Sequence, residues 1–464
     1  MDISKNQVIH IVGIGGIGMS GIAEILSGLG YSIQGSDLFP NNNVLRLRKK
    51  KIKIFIGHKK SNIKGADIII YSSAINKSNS ELKYALSNDI PILSRSEILS
   101  QIVKLKKTIL ISGSHGKTTT TTMISSLLSD LDLAPTVING GIINQYGTNT
   151  YLGTGKWMVV EADESDGTFI KLQSVISVVT NIDKEHLEFY GSFKELKKSF
   201  QKFISHIPFY GFAVVCLDDK NIESLIKKIT NTNIITYGLN SNSNIKAKNL
   251  RYYSDKTVFD VYVSFKSKRK IIKNFSIPII GKYNVLNALA AISIAIQMNL
   301  SVKKTMKSLK NFKGVQRRLT QVGSYNKLKL IDDYAHHPTE IRSVLEAVKK
   351  SNPKSIITAI FQPHRYSRLL SLEKDFSSCF KDADFVFVSD VYAASEKKPK
   401  LFNINQLVKQ ISKKSKTKSL YFSNYKNLKN NIIQNESEGI YIFLGAGSVT
   451  EWPYKLLKLL NEKR

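Results

Sequence analysis

Cysteine is nearly missing from this chain: two of 464 residues, Cys216 and Cys379, far apart and set in the apolar runs FAVVCL and SSCF. A disulfide framework or a zinc site needs paired sulfur ligands at regular spacing, so both are excluded and each cysteine reads as a small buried hydrophobe. Long apolar runs are missing too. None reaches the ~18 residues of a membrane-crossing helix. The first residues also lack a basic region leading into an apolar core and a small-residue cleavage site. A cytoplasmic protein with no membrane partner is expected. Acids are scarce, 36 against 68 lysines and arginines, for a formal charge of +32. That balance raises a polyanionic partner, yet the lysines are scattered (Lys49 to Lys51, Lys59 and Lys60, Lys397 and Lys398, Lys413 and Lys414) rather than clustered in a stripe. No nucleic-acid partner is expected. There is no solenoid repeat, and at ~150 residues per domain the length suggests about three domains.

What is present begins with TILISGSHGKTTTTTM, Thr108 to Met123. A β-branched strand runs into a glycine turn, and Lys117 and Thr118 open a helix. Backbone N–H groups in such a turn, the helix N-terminus and the lysine together favour a polyphosphate. The usual first glycine of a phosphate loop is replaced by Ile111, leaving Gly113, Ser114, His115, Gly116, Lys117, Thr118 and Thr119 as the expected ATP contacts. Thr118 stands at the position of a magnesium ligand, so Mg2+ is expected with the ATP.

The first segment places QVIHIV before the turn GIGGIG, an apolar helix, and the strand YSIQGSD. Gly13, Gly15, Gly16 and Gly18 form a diphosphate fingerprint, and Asp37 follows 19 residues beyond Gly18. Alone this suits an NAD enzyme, but a nucleotide-diphosphate sugar fits equally well. The second loop decides for an ATP-driven enzyme acting on a UDP-linked substrate. Ser72 and Ser73, ending DIIIYSS, join the substrate-binding candidates. IKIFIG is a further strand, and the tracts Asn41 to Asn43 and Ser241 to Lys248 are expected to be surface loops. KLKK, Lys104 to Lys107, joins this segment to the next.

In the second segment Glu161 of EADESD ends a strand and faces the phosphate loop as a metal ligand, with Glu164 as its rival. His186, beyond the strand VISVVTNID, could ligate a metal or touch phosphates. TVFDVYVSF is an alternating strand, and NVLNALAAISIAI a small-residue helix. The third segment carries DDYAHHPTE and FQPHRYSR, each after an apolar strand. Tyr334, His336, His337, His364, Arg365 and Arg368 make a polar patch suited to carboxylates and phosphates. Asp390, ending DFVFVSD, could hold an ammonium group.

With GIGGIGMSG, GSHGKTTT, EADESD, TNIDKEH, HIPFYG, FKGVQRR, DDYAHHPTE, FQPHRYSR, DVYAASE and GAGS in that order, the chain resembles the Mur ligases over essentially its whole length. The resemblance implies an α/β protein of three domains: a Rossmann-like parallel sheet binding the UDP-sugar (1–106), a central P-loop ATPase-like domain (107–314) and a Rossmann-like C-terminal domain binding the amino acid (315–464). It implies ATP and Mg2+ as cofactors, UDP-N-acetylmuramate and L-alanine as substrates, and a monomer or dimer. By position Lys117 holds the terminal phosphates, Thr118 and Glu161 bind magnesium, and His186 contacts a second metal. Asn284 and Asn287 match the adenine-binding stretch, and Arg318 lies at the hinge. His337, Arg365 and Arg368 match positions for the amino acid and the acyl phosphate. Glu185, Tyr283, Ala335 and Ser395 depart from the family pattern.

Overall fold

The structure, a computed structural model, describes residues 5–72, 74–240, 242–265, 268–400, 402–423, 425, 427–428 and 438–462. The chain divides into two compact units. One holds the residues up to Lys246 together with Tyr262–Ile271 and Leu286–Leu309, and the other holds Ala247–Val261, Ile272–Val285 and Lys310 onward.

The first unit opens with a parallel sheet of β1 (Val8–Val12), β2 (Ser32–Asp37), β3 (Lys53–Ile56), β4 (Ile68–Tyr71) and β5 (Ile92–Ser94), in the order β3-β2-β1-β4-β5. Ile9, Ile11 and Val12 are fully buried, as expected of a central parallel strand covered on both faces. The strand order reverses at β1, and a crevice at such a point is where doubly wound sheets take their ligands. The strand expected to run to Ser73 stops at Tyr71, and Ser73 lies outside the described residues. The tract at Asn41 to Asn43 is not a loop. Asn41 caps the helix Asn42–Lys49 by accepting the Val44 N–H at 3.0 Å, the use for which a short amide is best suited.

A second sheet contains β6 (Lys107–Ser112), β7 (Thr136–Ile143), β8 (Thr148–Tyr151), β9 (Trp157–Glu161), β10 (Ile176–Val179), β11 (Phe212–Cys216) and β12 (Ile234–Gly238), and continues through β13 (Ile245–Tyr252), β14 (Thr257–Phe265) and β15 (Lys268–Ile277). Its order is β15-β14-β13-β12-β11-β10-β6-β9-β7-β8. From Ile245 the stretch expected as loop is β13 instead, because Ile245 and Ala247 alternate inward; Ser241 lies outside the described residues. β6 sits centrally between β10 and β9, so the turn after it opens where their carboxyl ends converge. The helix Lys117–Asp130 follows. Threonine is a poor helix former, but here the hydroxyls are spent on packing: Thr120 donates to Asn287 Oδ1 at 3.1 Å, and Thr122 donates to the Thr118 carbonyl while accepting from Asn139 Nδ2.

The second unit contains a mixed sheet of β16 (Thr320–Tyr325), β17 (Leu328–Asp333), β18 (Ile357–Phe361), β19 (Phe385–Val388), β20 (Lys418–Tyr421) and β21 (Gly439–Leu444), ordered β16-β17-β21-β18-β19-β20. Only β16 is antiparallel to its neighbour. One face packs Leu345, Val348, Phe361, Phe376 and Phe380, the other Leu330, Ile360, Phe443 and Leu456. Both cysteines are buried, and burial pushes both thiols up, Cys216 to about 12. No described helix is long and apolar enough to cross a membrane.

Candidate functional site

Gly113 begins the turn after β6 at φ +133°, a conformation that only glycine adopts readily. A Cβ there would lie 2.1 Å from Thr180 Oγ1, so the turn is pressed against the loop after β10. That loop braces it reciprocally. Asn181 accepts the His115 N–H through Oδ1 (2.8 Å) and donates Nδ2 to the His115 carbonyl (2.9 Å), while the Asp183 N–H donates to Ser114 Oγ (2.8 Å). His115 Nε2 lies 3.1 Å from Asp183 Oδ2. Asn181 and Asp183 were not among the expected site residues; only their place after a buried strand could have marked them. Gly116 caps the helix in the left-handed region with no side-chain cap and no acid in the first turn. The first-turn N–H groups therefore lack intrahelical partners, and a helix N-terminus left this way favours an anion.

Lys117 turns back over the loop. Its Nζ donates to the Gly113 and Ser114 carbonyls (2.7 and 3.2 Å) and to Glu164 Oε2 (2.8 Å). Burial opposes the charge, but Glu164, Asp163 and Glu161 outweigh it and hold the ammonium well above its usual range. The two rival acids occupy different places. Glu161, at the end of β9, accepts from Thr118 Oγ1 (3.2 Å) and from the Gly140 N–H (2.8 Å). Its pKa is raised by burial, against the pull of Lys117. Glu164 instead reaches Lys117 and, through Oε1, comes within 3.9 Å of His186 Nε2.

A divalent cation fits these residues. Glu164 Oε1 is buried with no hydrogen-bond partner among the described residues, and an orphaned carboxylate oxygen is costly unless something cationic meets it. Ligand atoms of Glu164, Glu185 and His186 all lie within 4.8 Å of one another. The Thr118–Glu161 pair adds hard oxygen donors beside the loop, the kind that magnesium takes.

At the first sheet the glycine turn is equally tight. The Gly15 N–H donates to Asp37 Oδ2 at 2.8 Å, so Asp37 braces the turn directly. A Cβ on Gly15 would meet Asn41 Nδ2 at 2.6 Å and Val44 Cγ2 at 2.8 Å. Gly16 caps the helix Ile17–Gly28, and Ser72 packs 3.2 Å from where a Gly13 Cβ would be. Arg95, outside the expected site residues, lies across Gly18: its Nε is 2.7 Å from a Cβ built there. That Nε is buried without a partner among the described residues. Arg95 also lines a 110 Å³ cavity with Tyr71, Ser94, Glu161 and Asp163, so the residue lying over Gly18 shares a cavity with two of the acids around Lys117. Asn287 sits against that loop's helix, its Oδ1 2.7 Å from a Cβ built on Gly116.

In the second unit a ring cluster gathers at the carboxyl ends of β17 and β18. His364 stacks on Tyr392 (5.5 Å), His336 lies edge-on to His364 (5.7 Å) and to Tyr334 (5.1 Å), and Arg317 and Arg318 lie over the Tyr334 ring at 4.6 and 5.2 Å. Arg368 Nη1 is 3.5 Å from His364 Nδ1. Burial pulls His336 down to about 3 and His364 down to about 4, so both are neutral near pH 7. His337 caps the helix Pro338–Ser351, its Nδ1 accepting the Thr339 N–H at 3.3 Å. Arg365 holds a positive φ of 67° and donates its N–H to the Tyr392 carbonyl. Asp390 accepts from the Tyr421 hydroxyl at 3.0 Å. Asn284 donates to the Ile280 carbonyl at 2.8 Å. Tyr283 packs against this unit's core. His336 belongs to the expected polar patch; Arg317 and Tyr392 were not among the expected site residues, although both stand in the motifs FKGVQRR and DVYAASE.

Three family models match in order along the chain: "Mur ligase family, catalytic domain" over residues 8–107, "Mur ligase middle domain" over 111–295, and "Mur ligase, glutamate ligase domain" over 317–447. The UDP-N-acetylmuramate–L-alanine ligase of Brucella anthropi is 45% identical over 98% of both chains. That of Bartonella bacilliformis is 46% identical over 98% of this chain and 96% of its own. Among solved structures, the UDP-N-acetylmuramate-alanine ligase of Thermotoga maritima superposes with a TM-score of 0.82 at 27% identity, covering 99% of this chain and 100% of its own. With a glycine-turn sheet, a phosphate-loop sheet and a mixed C-terminal sheet following one another as those models do, this chain belongs to the Mur ligase family.

Proposed function

We propose that this chain is an ATP-dependent ligase that joins L-alanine to the carboxylate of UDP-N-acetylmuramate, giving ADP and phosphate, in the cytoplasmic synthesis of peptidoglycan precursors. The observation that carries the reading is a braced phosphate loop whose lysine is ringed by acids, two of which share a cavity with Arg95, the residue lying over a second, diphosphate-type glycine turn. The whole-length identity to ligases bearing that name supports the choice of substrates.

A carboxylate is a poor electrophile and amide formation in water is uphill, so the γ-phosphoryl group passes first to the carboxylate oxygen, with ADP leaving. Such a transfer depends on positioning and charge neutralisation. Lys117 and the first-turn N–H groups take the terminal phosphates, and Asn284 and Asn287 lie in the adenine-binding stretch. Thr118 with Glu161, and Glu164 with His186, would hold Mg2+, which would neutralise the charge developing on the phosphates. Gly13, Gly15, Gly16 and Gly18 receive the UDP diphosphate, and Arg95 directs the sugar-borne acid toward the loop. The neutral alanine amine attacks the acyl carbon as a nucleophile, and phosphate leaves with the former carboxylate oxygen. Arg365 and Arg368 hold the alanine carboxylate and the acyl phosphate, while Asp390 or His337 takes the amine proton. Segments 1–106, 107–314 and 315–464 are the corresponding domains, with Arg318 near the last hinge.

Phosphate release measured with UDP-N-acetylmuramate while alanine, serine and glycine are exchanged tests this reading. Release that needs both the sugar and an amino acid, fastest with alanine, is expected; release indifferent to the amino acid would overturn it.

A further inference from the structure

Two motifs have no part in the chemistry above: the lysine join Lys104 to Lys107, and HIPFYG, His206 to Gly211. They meet about a hundred residues apart in sequence on one cavity of about 870 Å³. Lys107 begins β6, Lys156 precedes β9 and Val175 precedes β10, so this cavity lies at the amino ends of the strands whose carboxyl ends carry the phosphate loop. The six residues of β6 put about 17 Å between the two ends.

Lys104, Lys106, Lys107, Lys156 and His206 line it, and no carboxylate does among the described residues. Lys106 is already committed to the Gly153 and Gly155 carbonyls at 2.6 and 2.8 Å. Lys107 Nζ lies 6.0 Å from the Trp157 ring, while Lys104 and Lys156 are exposed. Concentrating like charges around a concavity is unfavourable unless an anion offsets it. Leu105 and Tyr210, exposed to 57% and 65%, also line it, and Phe209, next to Tyr210 in the chain, is exposed to 96%. A self-complementary contact with a second copy would set lysines against lysines, which disfavours that occupant.

We propose that this cavity is an anion site, separate from the phosphate loop, for a phosphate or pyrophosphate group, either free or carried as a lipid headgroup. Its lysines come from the join after the first sheet and from the second sheet, so an occupant bridges the two.

Calorimetric titration with inorganic pyrophosphate, with the phosphate loop saturated by Mg2+ and a non-hydrolysable ATP analogue, tests the free source. Co-sedimentation with phosphatidate-containing vesicles, against pure phosphatidylcholine, tests the lipid source. Wild type should bind at least one, and the exposed-site variant Lys104→Glu/Lys156→Glu should weaken that binding by about tenfold or more, two solvated ion pairs being lost and reversed, with phosphate release intact. Loss of vesicle binding in Phe209→Ser assigns the lipid source; pyrophosphate binding without vesicle binding assigns the free one. No binding of either, or binding equally strong in the double variant, would overturn the proposal.

Discussion

Glu164→Gln should change ATP binding in opposite directions with and without metal. The side chain is 1% exposed and holds Lys117 Nζ at 2.8 Å, so in the ligand-free chain it competes with a triphosphate for the same ammonium. Glutamine keeps the shape and one acceptor but removes the charge. A unit charge ~5 Å from another, at an effective dielectric near 20, is worth about 3 kcal/mol. With about half of that lost to the remaining acids and to solvent, about 1.4 kcal/mol is left, or about tenfold. Binding of a fluorescent non-hydrolysable ATP analogue in EDTA should therefore tighten about tenfold. In Mg2+ the sign reverses, because Glu164 Oε1 is the buried oxygen beside His186; analogue binding should weaken, and phosphate release should fall by about 10- to 100-fold, the loss typical of altering a metal's supporting groups. Binding in EDTA that weakens or stays the same would refute the idea that Glu164 holds the lysine in reserve.

Lys117→Ala should abolish ADP formation while leaving UDP-sugar binding within about twofold, since nothing in the glycine turn touches it; calorimetry with each ligand checks both halves. Arg95→Ala should raise the KM for the UDP-sugar about tenfold or more by removing one charge-assisted contact, with the KM for alanine unchanged in steady-state assays. Gly113→Ala should eliminate ATP-analogue binding, because its Cβ would collide with Thr180 Oγ1 at 2.1 Å. In the second unit, His336 and His364 sit at about 3 and about 4, below the ordinary 6.5. Their depressed values contribute stability above pH 6.5 that is lost as pH falls toward 4, because the unfolded chain takes up protons first. Asp333, raised by burial to about 6, acts with opposite sign: its contribution is lost as pH rises through 6. Hydrogen-exchange protection of β17 and β18 should show both, with His336→Asn flattening the acid limb and Asp333→Asn the change near pH 6.

Much of the architecture was readable because parallel strands buried on both faces are written as apolar runs. QVIHIV, TILIS and SVISVV each became a central strand with its glycine turn or acid at the carboxyl end. Lys117, Thr118, Glu161 and His186 were findable for the same reason, since position after such a strand is itself the signal. What escaped reading was set by contacts distant in sequence. Arg95 opens an ordinary helix after β5, and only folding lays it over Gly18, 77 residues earlier. Asn181 and Asp183 read as a turn, yet they brace the phosphate loop from another strand. The choice between Glu161 and Glu164 was not decidable from spacing, because three residues past a strand end the chain can turn either way; folded, one meets Thr118 and the other Lys117. Asn41 reads as loop in the sequence because asparagine marks turns and helix caps alike.

The central claim is that the γ-phosphoryl group of an ATP gripped between Gly113 and Thr118 passes to the sugar-borne carboxylate before the amine arrives. Turnover of UDP-N-acetylmuramate carrying ¹⁸O in its carboxylate, with mass analysis of the released phosphate, tests it most directly. One labelled oxygen in each phosphate is the result predicted; phosphate released without label would contradict it.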